Sequence, residues 1–113
     1  MVTYKPYSIV IVPFPFTDKM QTKRRPALVI SQESHQEQTD HVTLLMITSA
    51  KHSSWESDYT IIKPHTTGLS APSIIRQKLF TIDLRLVRSK IGTLSSKDKK
   101  AILTHIQKHL CMN

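Results

Sequence analysis

Ser8-Ile9-Val10-Ile11-Val12-Pro13-Phe14-Pro15 is the stretch on which the fold turns. Ile9 to Val12 are β-branched without interruption, stiff at χ1 and suited to a pleated surface. No polar residue alternates among them, so the run predicts a strand buried on both faces. Pro13 and Pro15 then remove ladder donors and stop it. The same run is too short to span a membrane, and no small-residue cleavage site follows it, so it does not read as a leader. A soluble, cytoplasmic chain is expected.

Working outward, Ala27-Leu28-Val29-Ile30 predicts a second buried strand, and Val42-Thr43-Leu44-Leu45-Met46-Ile47 a third. Tyr59-Thr60-Ile61-Ile62 predicts a fourth, ended by Lys63-Pro64 and the turn residues Thr67-Gly68. Ser73-Ile74-Ile75-Arg76 and Leu79-Phe80-Thr81-Ile82 read as halves of one bent strand. The polar, basic stretch from Phe14 to Arg25 reads as a loop. Short strands spaced in this way predict a small β-barrel rather than a parallel sheet.

The period changes near the C-terminus. Ser95-Ser96-Lys97-Asp98 carries an N-cap serine with an acid three residues on, a capping-box arrangement. Ala101, Ile102, Leu103, Ile106 and Leu110 then recur at helical spacing, while Lys97, Lys99, Lys100, Gln107 and Lys108 take the other side. An amphipathic helix closing one side of the barrel is the expectation.

With 113 residues the chain is expected to form a single domain, 1–113, and its 39% hydrophobic content suits one modest core. The lone Cys111 allows no intrachain disulfide and no zinc spacing of the CxxC kind, which fits a reducing compartment. The net charge of +8 favours a polyanionic partner, a nucleic acid or an acidic protein. His35, His41, His52 and His65 are scattered through polar segments, with nothing to bring two together as a histidine-pair nuclease requires. His105 and His109 lie one helical turn apart near Cys111 but lack an HExxH-type base, so no metal and no cofactor are expected.

Several blocks, in order, resemble the PemK/MazF family of growth-inhibiting toxins from type II toxin–antitoxin systems. They are Ile11-Val12-Pro13-Phe14-Pro15-Phe16-Thr17-Asp18, Lys23-Arg24-Arg25-Pro26-Ala27-Leu28-Val29-Ile30-Ser31, and Met46-Ile47-Thr48-Ser49. Gly68-Leu69, Pro72-Ser73-Ile74-Ile75-Arg76, Lys78-Leu79-Phe80-Thr81-Ile82-Asp83 and Ile91-Gly92-Thr93-Leu94-Ser95 continue the pattern into the final helix. The resemblance implies a mainly β fold, an SH3-like small barrel with a C-terminal helix, shared with the related gyrase-poisoning toxins. It also implies a homodimer, metal-independent cleavage of single-stranded RNA at short sequences, and silencing by an acidic antitoxin. The chain departs from the family at Tyr7-Ser8, where a Gly-Asp pair is common, and at Gln77-Lys78, where an acid often follows the arginine. The loop after the first strand also lacks the Glu-Gln-Gly of some members.

Cleavage through the neighbouring 2′-hydroxyl needs a group near that hydroxyl, stabilisation of the phosphorane and a proton for the leaving oxygen. On the matched motifs Arg25 and Thr48 are the expected catalytic residues. The guanidinium fork of Arg25 fits phosphate oxygens, and the Thr48 hydroxyl sits at a strand end. Lys19, Lys23 and Arg24 are expected in a loop gripping the RNA backbone. Ser49 is a weaker neighbour of the site, and Ser31 could support it. Arg76 could hold phosphate or pair structurally with Asp83. Phe14, Phe16 and Trp55 could stack on unpaired bases, although Phe14 and Phe16 suit a core role and Trp55 a surface or interface. The competing functions are a toxin that binds a protein such as DNA gyrase and an RNA-binding module that has lost cleavage.

Overall fold

The β-branched run forms strand β1 (Ser8–Phe14), followed by β2 (Lys23–Val29), helix α1 (Glu33–Thr39) and β3 (His41–Thr48). A short β4 (Tyr59–Thr60), a long β5 (Ile74–Asp83), β6 (Ser89–Thr93) and the terminal helix α2 (Ser96–His109) complete the chain. The computed structural model describes residues 2–14, 23–49, 51 and 53–111. The strands make one curled antiparallel sheet in the order β4-β5-β3-β2-β1-β6, which with the C-terminal helix is the mainly β architecture expected. Among the described residues no helix is long and apolar enough to cross a membrane.

Both faces of the sheet are covered, which is why β1 needs no alternation. On one side Ile9, Leu28, Leu45, Ile47 and Ile75 pack with Leu94 and with Ile102 and Ile106 of α2. On the other, Val10, Val12, Phe14, Ala27, Val29, Val42, Leu44 and Ile82 pack together, flanked by Leu84, Tyr4, Phe80 and Val87. The predicted halves at 73–76 and 79–82 are one strand, β5. Its ladder with β3 jumps from Leu45–Leu79 to Met46–Arg76, so Gln77 and Lys78 form the bend as a bulge.

Besides β6, which no run of the sequence predicts, three elements differ from the reading of the sequence. Lys23, Arg24 and Arg25 belong to β2, not to a loop, because they pair with Phe14, Pro13 and Val12 of β1. Pairing with β1 outweighs their polarity. The fourth strand is shorter than expected, Tyr59–Thr60, although Ile61 N–H still donates to the Ser73 carbonyl in the same register with β5. Helix α1 has no apolar period; its buried residue is Gln36, whose amide accepts from Tyr4 N–H and donates to the Tyr4 and Ser31 carbonyls.

Asp98 locks α2 to the sheet. The Ser95 hydroxyl accepts from Asp98 N–H at 3.2 Å, as the capping box predicts. The carboxylate does more than cap: it receives the Tyr59 hydroxyl at 2.6 Å and the N–H groups of Ile62 and Lys63 at 3.1 and 2.9 Å. Burial pushes the Asp98 carboxyl up, but the bonds from Tyr59, Lys63, Ile62 and Ser95 outweigh it and leave it below the ordinary carboxylate value. Burial and that carboxylate together push the Tyr59 phenol well above its usual range.

Candidate active site

Ala27 pairs with Met46, Leu28 with Leu45 and Val29 with Leu44 across β2 and β3. Extending this register by two residues sets Arg25 opposite Thr48, and side chains two apart on a strand share a face. Both residues lie within their strands, Arg25 held against Val12 of β1 and Thr48 against Ile74 of β5. Arg25 and Thr48 therefore share the face that carries Ala27 and Met46, on neighbouring strands just beyond the last paired residues. Arg25, Thr48 and Met46 are all partly accessible. One end of the otherwise apolar second face is thus polar and cationic, with Lys23 on the same side of β2 and exposed.

Arg76 sits one step from this row. It pairs across the sheet with Met46, so it shares the face of Thr48 and Arg25 about 7 Å along the strands. Arg76 is only 7% exposed, and its guanidinium is held on several sides. Nε and one terminal nitrogen donate to the two Asp58 oxygens, both at 3.0 Å, and further N–H groups donate to the Ser53 hydroxyl and carbonyl at 3.1 Å. The ring of Trp55 lies 4.9 Å from the guanidinium carbon. Asp58 also accepts from the Trp55 N–H at 2.8 Å. Burial raises the Asp58 carboxyl, but Arg76 and the Trp55 N–H together bring it below its ordinary value.

The structural partner of Arg76 is therefore Asp58 and not Asp83, which pairs instead with Arg85 at 2.8 Å. Sequence inspection missed Asp58, since nothing in the order of residues ties it to an arginine 18 positions away. Phe14 is buried against Phe80, with ring centroids 5.0 Å apart, and its place is in the core rather than on a base. Arg24 and Ser49 are exposed, Arg24 on the opposite face of β2 from Arg25 and Ser49 just past the end of β3. The Ser31 hydroxyl accepts from Thr43 N–H, a structural role. Phe16, Lys19 and His52 lie outside the described residues.

His105 Nε2 donates to the Ser57 carbonyl and His109 Nδ1 to the His105 carbonyl, which engages one ring nitrogen of each. Among the described residues no three His, Cys, Asp or Glu side chains gather as metal ligands.

A family model described as PemK-like, MazF-like toxin of type II toxin-antitoxin system matches residues 5–110. An endoribonuclease bound to its cognate antitoxin from a mycobacterial species superposes with a TM-score of 0.77 at 12% identity, covering 100% of this chain and 98% of that one. The toxin MazF-mt6 of Mycobacterium tuberculosis gives 0.73 at 20% identity, over 94% and 98% of the two chains. A MazE–MazF structure from Deinococcus radiodurans gives 0.76 at 18% identity, over 97% and 98%. At these identities the likeness is one of fold. No curated protein matches by sequence.

Proposed function

The chain belongs to the PemK-like, MazF-like toxins of type II toxin–antitoxin systems, and from that premise we propose that it is a metal-independent endoribonuclease cutting single-stranded RNA in the cytoplasm. What supports the reading is that continuing the β2–β3 register sets Arg25 and Thr48 on one face of neighbouring strands, in a chain of net charge +8. The ribose 2′-oxygen attacks the adjacent phosphorus, the bond to the 5′-oxygen breaks, and a 2′,3′-cyclic phosphate forms beside a 5′-hydroxyl end. The 2′-hydroxyl gives up its proton as it attacks, and the departing 5′-oxygen takes one up. Arg25 offers paired N–H groups to the non-bridging oxygens, where negative charge grows in the phosphorane. The Thr48 hydroxyl orients the 2′-hydroxyl or the phosphate by hydrogen bonding. Lys23, on the Arg25 side of β2, grips the flanking backbone together with Lys19 without reading sequence.

An acidic antitoxin covering the same cationic end, and a homodimer, complete the proposal. The presence of cognate antitoxins beside structural neighbours supports the first. The test is cleavage of a long single-stranded RNA in EDTA by the wild type and by Arg25→Ala, with product ends mapped. Cuts leaving 5′-hydroxyls that vanish in the variant are expected. Intact RNA with a wild-type preparation free of antitoxin would defeat the enzyme assignment and turn attention to a bound protein target.

A further inference from the structure

The Arg76–Asp58–Ser53 cluster ties the loop of residues 53–58 to β5. A nearly buried arginine on β5 spends four hydrogen bonds on residues 53 and 58. Between those two anchors stands Trp55, and the same Asp58 carboxylate that binds the guanidinium also fixes the Trp55 backbone N–H. One ring face meets the guanidinium at 4.9 Å, yet 43% of the residue remains exposed. Exposing a large indole costs hydrophobic free energy, and tying it down adds ordering. The cluster thus presents a rigid aromatic surface to solvent instead of burying it.

Its position gives that surface a use. Arg76 shares the face of Thr48 and Arg25 and lies one side-chain row from them. We propose that Trp55 is a stacking platform for an unpaired base of the RNA, with Arg76 and Asp58 as the positioning residues that hold its ring. This rests on the ribonuclease reading and adds the element that reading lacks. Arg25 and Thr48 address phosphate and sugar, whereas a base held on Trp55 sets which linkage lies before them. The guanidinium backing keeps one face of the indole occupied and leaves the other to a base. A stacked base needs no hydrogen-bond readout, so the platform accepts any base and favours single strands, whose bases are free to turn outward.

Trp55 is the chain's only tryptophan, so its emission reports on this one ring. The measurement is tryptophan fluorescence during titration with a short mixed-sequence 2′-O-methyl single strand, whose blocked hydroxyl prevents cleavage. Affinities of Trp55→Ala and Trp55→Phe for the same strand are read in parallel by anisotropy of a labelled end. Emission should be quenched on binding, with affinity about tenfold or more weaker in Trp55→Ala and largely kept in Trp55→Phe. Unchanged emission in a complex that forms, equal affinity of Trp55→Ala, or equal quenching by duplex RNA would each overturn the platform. So would emission that ignores RNA but shifts on adding an acidic partner protein, which would assign the ring to a protein interface. Loss of cleavage in Arg25→Ala alongside a silent Trp55 would sink the platform alone. A wild type that neither binds nor cuts RNA would sink the ribonuclease reading and the platform with it.

Discussion

The two faces of the sheet are both apolar over most of their area, yet they are used differently. The face under α2 is sealed: Ile9, Leu28, Leu45, Ile75 and Ile102 have no accessible surface. Its main polar intrusion is Asp98, whose carboxylate is fully engaged in tying helix to sheet. The opposite face starts as a core of Val10, Val12, Ala27 and Leu44 and ends in Arg25, Thr48 and Arg76. One sheet thus carries sealed packing on one side and, at an end of the other, the polar cluster on which the proposed chemistry rests. The strands that position Arg25 and Thr48 are anchored from behind by packing that the site does not share.

The largest expected effect separates the two faces. Arg25→Ala should cut RNA cleavage by about 100- to 1,000-fold, equivalent to about 3–4 kcal/mol of barrier, while thermal unfolding stays where it was. A matched fall in melting temperature would mean that the cationic end also holds the fold together. Ile102→Ala should do the reverse, losing about 2–5 kcal/mol of stability and on the order of 10 °C or more in Tm. Below its lowered melting point, that variant should cleave at close to the normal rate.

Asp98 tests the joint between helix and sheet. Asp98→Ala leaves the Tyr59 hydroxyl and two N–H groups without their acceptor and should cost about 2–3 kcal/mol by denaturant titration. The pH dependence follows from its depressed carboxyl value. Its contribution is fully present above the unfolded carboxylate pKa of about 3.9 and is lost as pH falls through the lower folded value. Asp98→Asn should therefore flatten the acid limb of a stability–pH curve, and an unchanged limb would assign acid unfolding to other groups. The smallest effect belongs to Asp83, which Arg85 holds down to about 2 although the pair is at the surface. Exposed ion pairs contribute little, so Asp83→Asn should leave Tm within about 1 °C, and the low titration should appear only in the carboxyl NMR signal.

Much of the fold was legible because burial on two faces leaves a mark in the residues themselves. Ile9 to Val12 announce a strand by β-branching, Ala27 to Ile30 and the two halves of β5 do so by short apolar runs, and Ile102 with Ile106 announce a helix by period. Helix α1 left no such mark, since Gln36 is buried by hydrogen bonding rather than by apolarity. Strand β6 was equally hidden, because Ser89–Thr93 earns its strand geometry from β1 and not from its own side chains. Of the candidate site, Arg25 and Thr48 are expectations that rest on family motifs alone. That they share a face follows from continuing the β2–β3 register, which no local pattern encodes.

By itself, then, the sequence determined what is local: strand-forming runs, the terminal helix with its Ser95 cap, the excess of positive charge, and the motifs of a toxin family. Tertiary structure decided what depends on partners distant along the chain. It drew Lys23 to Arg25 into a strand, gave Arg76 to Asp58 rather than Asp83, and turned Asp98 from a helix cap into a tie across the fold. The physical reason is the same in each case. A polar side chain's role is set by which donors, acceptors and charges end up within hydrogen-bonding reach, and those neighbours are chosen by sheet register and packing rather than by order in the chain.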